Sequence, residues 1–464
     1  MASDHQELSP RTTAPASEGA TRQLARYLIA ARPDDLPAPV RQEGVRTFFN
    51  WLGCAVGGAR HEAVEIAIAT LSPFSGPPQA TILGRSDRTD VLHASLINGI
   101  SSHVFDFDDT HLRTVIHPAG PVAAAILALA EYRPVSGRDF LNALVLGIET
   151  ECRIGNAVFP DHYDVGWHIT GSAGVFGAAA AAGKLLGLDE QRMLWALGLA
   201  ATQPVGLREM FGTMTKSFHP GRAAQNGLTA ALMAAGGYTS SNQGIEAKRG
   251  WANVTSTKQD WGAIVDGLGD SYEILLNTYK PFACGIVIHP AIDGCIQLRN
   301  EHGLAAGDIE RVDLAVHPLV LELTGKKTPQ TGLDGKFSVY HSVAVAIIQG
   351  CAGEPQYSDA AVHDAQTMAL RDRVVAAVDP SVSSAAVRIT ITLEDGRQLE
   401  KHVENAIGSV ARPMTDRDLE QKFAGLADGI MPDEQARSLA ALCWRLESLP
   451  DMAALARLAA VPAS

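Results

Sequence analysis

Cysteine is scarce in this chain. Six occur in 464 residues, at Cys54, Cys152, Cys284, Cys295, Cys351 and Cys443, and no two share a Cys-x-x-Cys spacing. That excludes a zinc ribbon or a disulfide framework and reads as reduced thiols in a cytoplasmic protein. Positive charge is also short: 38 Lys and Arg face 51 Asp and Glu, for a net charge of -13. Nucleic acid and anionic membranes are bound through basic patches, so neither is an expected partner. Long hydrophobic runs are missing too. "PAGPVAAAILALA" stops at Glu131, short of the roughly 18 to 20 apolar residues that span a membrane. The opening "MASDHQELSPRTTAPASEGA" has no apolar stretch, so residues 1–20 read as a disordered leader, not a signal peptide.

What the chain does have is small apolar residues at helical spacing. "VRQEGVRTFFNWLGCAVGGA" sets Val45, Phe48, Phe49, Leu52 and Val56 on one face. "GSAGVFGAAAAAGKLLGLD" is Gly- and Ala-rich and ends at Gly187, which predicts a helix packed closely in the middle of a bundle. Near Asn277 the texture changes. Val312, Leu314 and Val316 alternate, as do Val387, Ile389, Ile391 and Leu393, the second run turning at Asp395-Gly396. After Pro413 a helix restarts, with Thr415 or Asp416 as its N-cap. The fold class expected is mainly α: a helical domain built from both chain ends, with an inserted α+β domain.

Polar residues that carry chemistry gather at the edges of these apolar segments. "DFDDTHLRTVIHPAG" crowds Asp106, Asp108, Asp109, Thr110 and His111 ahead of His117, with Pro118 and Pro121 favouring a helix start after it. A helix N-terminus attracts anions, so His117 could hold or protonate a carboxylate there. His168 precedes the small-residue helix, with Thr170 and Ser172 as possible caps. Lys216, His219 and Arg222 read as an anion site ahead of another helix. Lys280, Cys284 and His289 form a fourth group, where His-Pro before a helix recurs for the third time. Lys336, Ser338, Tyr340 and His341 form the fifth. Were the acidic stretch helical, Asp106 and Asp109 would share a face and could hold Mg²⁺, but the helical half has no second acid-rich motif to complete such a site.

Together "DFDDT", "HPAGPV", "GWHITGSAGVFGAAAAAGKLLGLD", "TKSFHPGRAAQNG", "YKPFACGIVIHPAID", "KFS" and "ARPMTDRDLEQKF" resemble the MmgE/PrpD family from about residue 21 to 450. The resemblance implies a helical domain over 21–275 and 413–464, an α+β lid over 276–412, and a site between them. It also implies a homodimer without a cofactor or metal that acts on small carboxylates. Motif positions match at Asp106, Thr110, His117, His168 and Lys216, and in the lid at Lys280 and His289. On this reading His117 leads as acid/base and His168 is second. Lys216 and Lys280 bind carboxylates, Asp106 and Thr110 orient His117 or the substrate, and His289, Tyr340 and His341 act from the lid. The Asp108 and Asp109 side chains are expected as caps or as partners of Arg113. The implied activity is a lyase that eliminates water or CO2 through a carbanion. The same constellation would support epimerisation of an amino- or imino-dicarboxylate.

Overall fold

The computed structural model describes residues 19–462. The expected leader lies outside them except for its last two residues, and Ala20 already opens a helix. Helices α1 (Ala20–Ala30), α2 (Ala38–Gly57) and α3 (Val91–His103) come first. Strand β1 (Asp109–His111) follows, then α4 (Ala119–Tyr132), α5 (Gly137–Val158), α6 (Ile169–Leu186) and α7 (Thr215–Ala235). Beyond β2 (Asn277–Tyr279) come α8 (His289–His302), β3 (Ile309–Val316) and α9 (Val339–Gln349). Strands β4 (Val374–Val378), β5 (Val387–Leu393) and β6 (Gln398–Val403) complete the mixed segment, and α10 (Asp416–Ala427) and α11 (Asp433–Trp444) follow.

Glycine and alanine set the helix spacing. A Cβ on Gly227 of α7 would lie 2.6 Å from the Val175 carbonyl of α6, and one on Gly147 of α5 would lie 2.8 Å from the Gly177 carbonyl. Helix α6 therefore sits in the middle of the bundle, as its composition predicts. Gly187 ends it in the left-handed region at φ 69. With 18 residues at a mean hydropathy of 1.3, α6 is long and apolar enough to cross a membrane. This corrects the expectation that no run reaches that length. It packs against helix neighbours instead, with 83% of this stretch buried inside the protein.

Four strands form a sheet in the order β4-β3-β5-β6, with β3 and β4 parallel and the other pairs antiparallel. The alternating residues of β3 and β5 point into the core, and the predicted turn is present, with Gly396 at φ 84. Strand β4 was not anticipated. Helix α8 lies against the sheet so closely that a Cβ on Gly294 would meet Ile389 at 2.4 Å. The last segment returns to the first. Thr415 caps α10 with Asp418 in a reciprocal box, Phe423 packs on Phe49 at 5.1 Å, and Trp444 stacks on the same ring at 4.4 Å.

Two local expectations fail. The acidic stretch is not helical: β1 pairs with β2 (Asp109 with Tyr279, Thr110 with Thr278, His111 with Asn277), so neither Asp106 and Thr110 nor Asp106 and Asp109 share a helix face. Lys216, His219 and Arg222 lie inside α7 rather than ahead of it, and Pro220 sits within that helix. The proline is accommodated where α7 crosses α3 at glycines. A Cβ on Gly221 would be 2.3 Å from the Leu96 carbonyl. Because backbone cannot yield as a flexible side chain can, Gly221→Ala is expected to destabilise the protein by about 1 to 3 kcal/mol, read as a lowered thermal midpoint.

Candidate active site

The site grows from the end of α3. His103 is its last residue, and the chain leaves the helix through Asp106 at φ 53. Among the described residues only Asp106 and Val115 have positive φ without being glycine, and both lie in the loop between α3 and α4. A left-handed conformation costs an L-residue about 1 to 2 kcal/mol. At Asp106 the compensation is electrostatic. Its Oδ1 accepts from Lys216 Nζ at 2.6 Å and Lys280 Nζ at 2.8 Å, and Lys280 also donates to its carbonyl at 2.9 Å. Burial alone would raise the Asp106 carboxyl, but Lys216 and Lys280 outweigh it and hold the group well below the usual carboxylate range. Lys280 is raised in turn, Asp106 overcoming its own burial.

The tight loop brings Asp108 back to His103, Oδ2 to Nδ1 at 2.6 Å, with both side chains fully buried. His117, just before α4, has Nδ1 at 2.6 Å from the Asp109 carbonyl and 3.3 Å from Thr110 Oγ1. A carbonyl only accepts, so Nδ1 carries the proton and Nε2 keeps its lone pair. Thr170 accepts from the His117 backbone N–H at 3.1 Å, so it holds this loop rather than capping α6. His168 stands just before α6, at its N-cap position, and its Nδ1 lies 2.9 Å from Nδ1 of His219. Phe211 stands edge-on to His168 at 5.0 Å. The rings of His103, His117 and His168 are mutual neighbours, with centroids 4.8, 6.0 and 6.3 Å apart.

Burial, with Lys280 adding to it against Asp108, pushes the His117 imidazole down to about 3. Burial and then Lys216 depress His168 well below the ordinary histidine value. Both rings are therefore neutral at neutral pH in the ligand-free protein. His103, His117 and His168 offer nitrogen atoms within 4.8 Å of one another, as do His103 and His117 together with the Asp106 and Asp108 carboxylates. That spacing could gather a metal ion, but two ammonium groups already occupy Asp106 and oppose a further cation there.

Of the residues expected from sequence, Asp106, Thr110, His117, His168, Lys216, His219 and Lys280 come together. Arg222 does not: it is exposed on α7 and bonds Gln225. His289 is buried at the start of α8, edge-on to Phe282 at 5.3 Å, with Nε2 lacking a hydrogen-bond partner among the described residues. His341 donates to the Gln356 carbonyl at 2.8 Å within the mixed segment, and Lys327 lies over the Tyr340 ring. Among the described residues no hydrogen bond or ring contact joins these three to the imidazole cluster, although the charges of Lys280 and Asp106 act on His289. Asp108 and Asp109 do not pair with Arg113, which bonds Glu273 instead. The sequence reading missed His103 and its Asp108 partner. The signal available was a histidine closing an apolar helix five residues before an acid.

Asp109 anchors the neighbourhood. Its Oδ2 accepts from the Ala119 N–H at 3.1 Å and from Asn277 at 2.8 Å, tying β1 to α4 and β2. Burial, and then Asp108 beside it, raise its carboxyl to about 7. The folded value exceeds the unfolded one, so the native state holds a proton that the unfolded chain has released. Stability therefore falls as pH climbs from about 4 to about 7. Asp109→Asn retains an accepting oxygen and should remove that fall, so denaturant melts of the variant between about pH 4 and 8 should show a stability advantage growing with pH.

Residues 22–264 match the MmgE/PrpD N-terminal domain and residues 282–446 the MmgE/PrpD C-terminal domain. The chain is 26% identical to cis-aconitate decarboxylase of Aspergillus terreus, covering 96% of this chain and 97% of that protein. It is 27% identical to the human cis-aconitate decarboxylase over 94% of each chain. It is 25% identical to 2-methylcitrate dehydratase of Salmonella typhimurium over 78% of this chain and 80% of that one. With both domain matches in sequence order over most of its length, the chain belongs to the MmgE/PrpD family.

Proposed function

We propose that the chain is a lyase that removes CO2 or water from a small di- or tricarboxylate without a cofactor. The observation that carries this reading is a buried carboxylate, that of Asp106, held by two ammonium groups beside three imidazoles. The internal carboxylate marks where a substrate carboxylate is attracted. The relatives named decarboxylase and dehydratase act on compounds of that class.

The chemistry follows from the geometry. In decarboxylation the carbon–carbon bond to the departing carboxylate breaks, CO2 leaves, and the electron pair left on carbon takes a proton from an imidazole. In dehydration the His117 Nε2 lone pair takes a proton from the carbon beside a carboxylate, and the hydroxyl leaves as water with a proton from a second ring. Lys216 and Lys280 stabilise charge as it spreads into the adjacent carboxylate. The His117 imidazole, depressed to about 3 before substrate arrives, moves back toward neutral when a substrate carboxylate offsets the lysines. His168 and His219 face each other through their Nδ1 atoms, so one ring donates there and the other accepts, and the tautomer of His168 is tied to that of His219.

The imidazoles are closed off, with His117 only 7% exposed and His103 and His168 less. The reading therefore includes opening of the mixed segment, residues 276–412, as a lid, and places the enzyme in the cytoplasm as a homodimer. Incubation of the protein with a panel of small polycarboxylates, followed by mass detection, tests it. Loss of CO2 or of water is the expected result, whereas a product of unchanged mass identifies an epimerase. His117→Ala should lower kcat by about 10² to 10⁴, a loss read against a circular dichroism spectrum that still shows the folded protein. Lys216→Met should raise KM and lower kcat together, because the ammonium both binds the carboxylate and stabilises the developing charge.

A further inference from the structure

Lys422 lies on α10, far in sequence from every residue assigned above. Its ammonium donates to Asn50 Oδ1 at 2.7 Å, to the Lys280 carbonyl at 2.9 Å, and to the Phe107 carbonyl. An ammonium has three N–H groups, and all three are engaged. The Phe107 ring also faces the charge, 4.0 Å from its centroid. The three acceptors belong to α2, to the loop after α3, and to the strap after β2. Phe107 stands between Asp106 and Asp108, and Lys280 supplies one of the ammonium groups on Asp106. Among the described residues no carboxylate lies within ion-pair distance of Lys422. Asp108 and Asp109 act on the ammonium only from beyond that distance, and a buried charge without a close ion pair is costly to the fold, which points to a role beyond packing.

We propose that Lys422 is a positioning residue, whose ammonium clamps the loop carrying Asp106 and Asp108 to the strap carrying Lys280 and releases them at alkaline pH. The groups around it are Cys54 on α2, Asp108 and Asp109 on the loop, and Lys280 on the strap. Burial lowers the Lys422 ammonium to about 8, Cys54, Asp108 and Asp109 opposing the shift and Lys280 adding to it. The sign of the linkage separates this role from a structural one. The folded value lies below the unfolded value of 10.5, so above pH 8 the unfolded chain binds more protons. Stability contributed by this group therefore rises with pH while the clamp weakens. A lysine important only for folding would not lose its function as stability rises.

The activity arm of the test rests on the lyase reading; the exchange arm does not. Backbone hydrogen exchange of residues 105–110 and 279–284 is followed from about pH 7 to 9.5 in the wild type and in Lys422→Arg, and expressed as protection relative to intrinsic rates. Wild-type protection is expected to fall about tenfold with a midpoint near pH 8, and to stay level in the arginine variant, whose charge does not titrate there. Level wild-type protection overturns the proposal, and so does an equal fall in both proteins. Because the wild-type profile alone can overturn it, failure of the variant to fold leaves the test intact. In the activity arm the alkaline limb of kcat/KM should move upward in Lys422→Arg, and an unmoved limb counts against the clamp. Absence of turnover with every polycarboxylate counts against the lyase reading, and the exchange profile then decides the clamp.

Discussion

The arrangement depends on one desolvated carboxylate. Asp106 is buried, sits in a left-handed conformation, and is held by two ammonium groups. A charge in this position is tolerable only if it is paired on several sides. One lysine comes from α7 and the other from the strap after β2, so pairing the carboxylate fixes where those segments lie. The same turn that places Asp106 curls Asp108 back onto His103 and aims the Asp109 carbonyl at His117. A single bend thus sets the carboxylate, the lysines and two of the imidazoles.

Small residues make the convergence possible. Helices α5, α6 and α7 approach until glycine backbones touch carbonyls, and α7 meets α3 at Gly99 and Gly221. At ordinary helix spacing His103, His168 and His219 would stand too far apart for their rings to interact. The close approach also removes water, and this desolvation is the largest cause of the low basicity of His117 and His168. Packing and acid–base behaviour are therefore set by the same Gly and Ala positions.

What the sequence made legible was local or periodic. The Asp395-Gly396 turn, the Gly187 terminus, the Thr415 cap and the alternating faces of β3 and β5 each rest on interactions within a few residues. The motif positions brought together at Asp106, His117, His168, Lys216 and Lys280 were legible through the family pattern. What escaped depends on contacts distant in sequence. The β1–β2 ribbon joins segments about 168 residues apart, and no propensity in "DDT" announces it. The dense acids suggested a helix face because lysines far along the chain, which pull Asp106 into its bend, are invisible locally. Arg222 resembled a partner of Lys216 by spacing alone, yet six residues along a helix do not place two side chains on the same side. Lys422 looks like an ordinary surface lysine until the chain end folds back onto α2.

The ribbon has one more consequence. Side chains alternate along a strand, so the three paired residues of β2 work like a vernier for the residue that follows them. A slip of one position would exchange inward for outward along the whole strap and point Lys280 away from Asp106. Tyr279 would turn out of the helical core as well and lose its hydroxyl bond to Thr47 on α2. Chemical competence here is thus encoded as an alignment between two short stretches of backbone, and the packing of Tyr279 into the core holds that alignment in place.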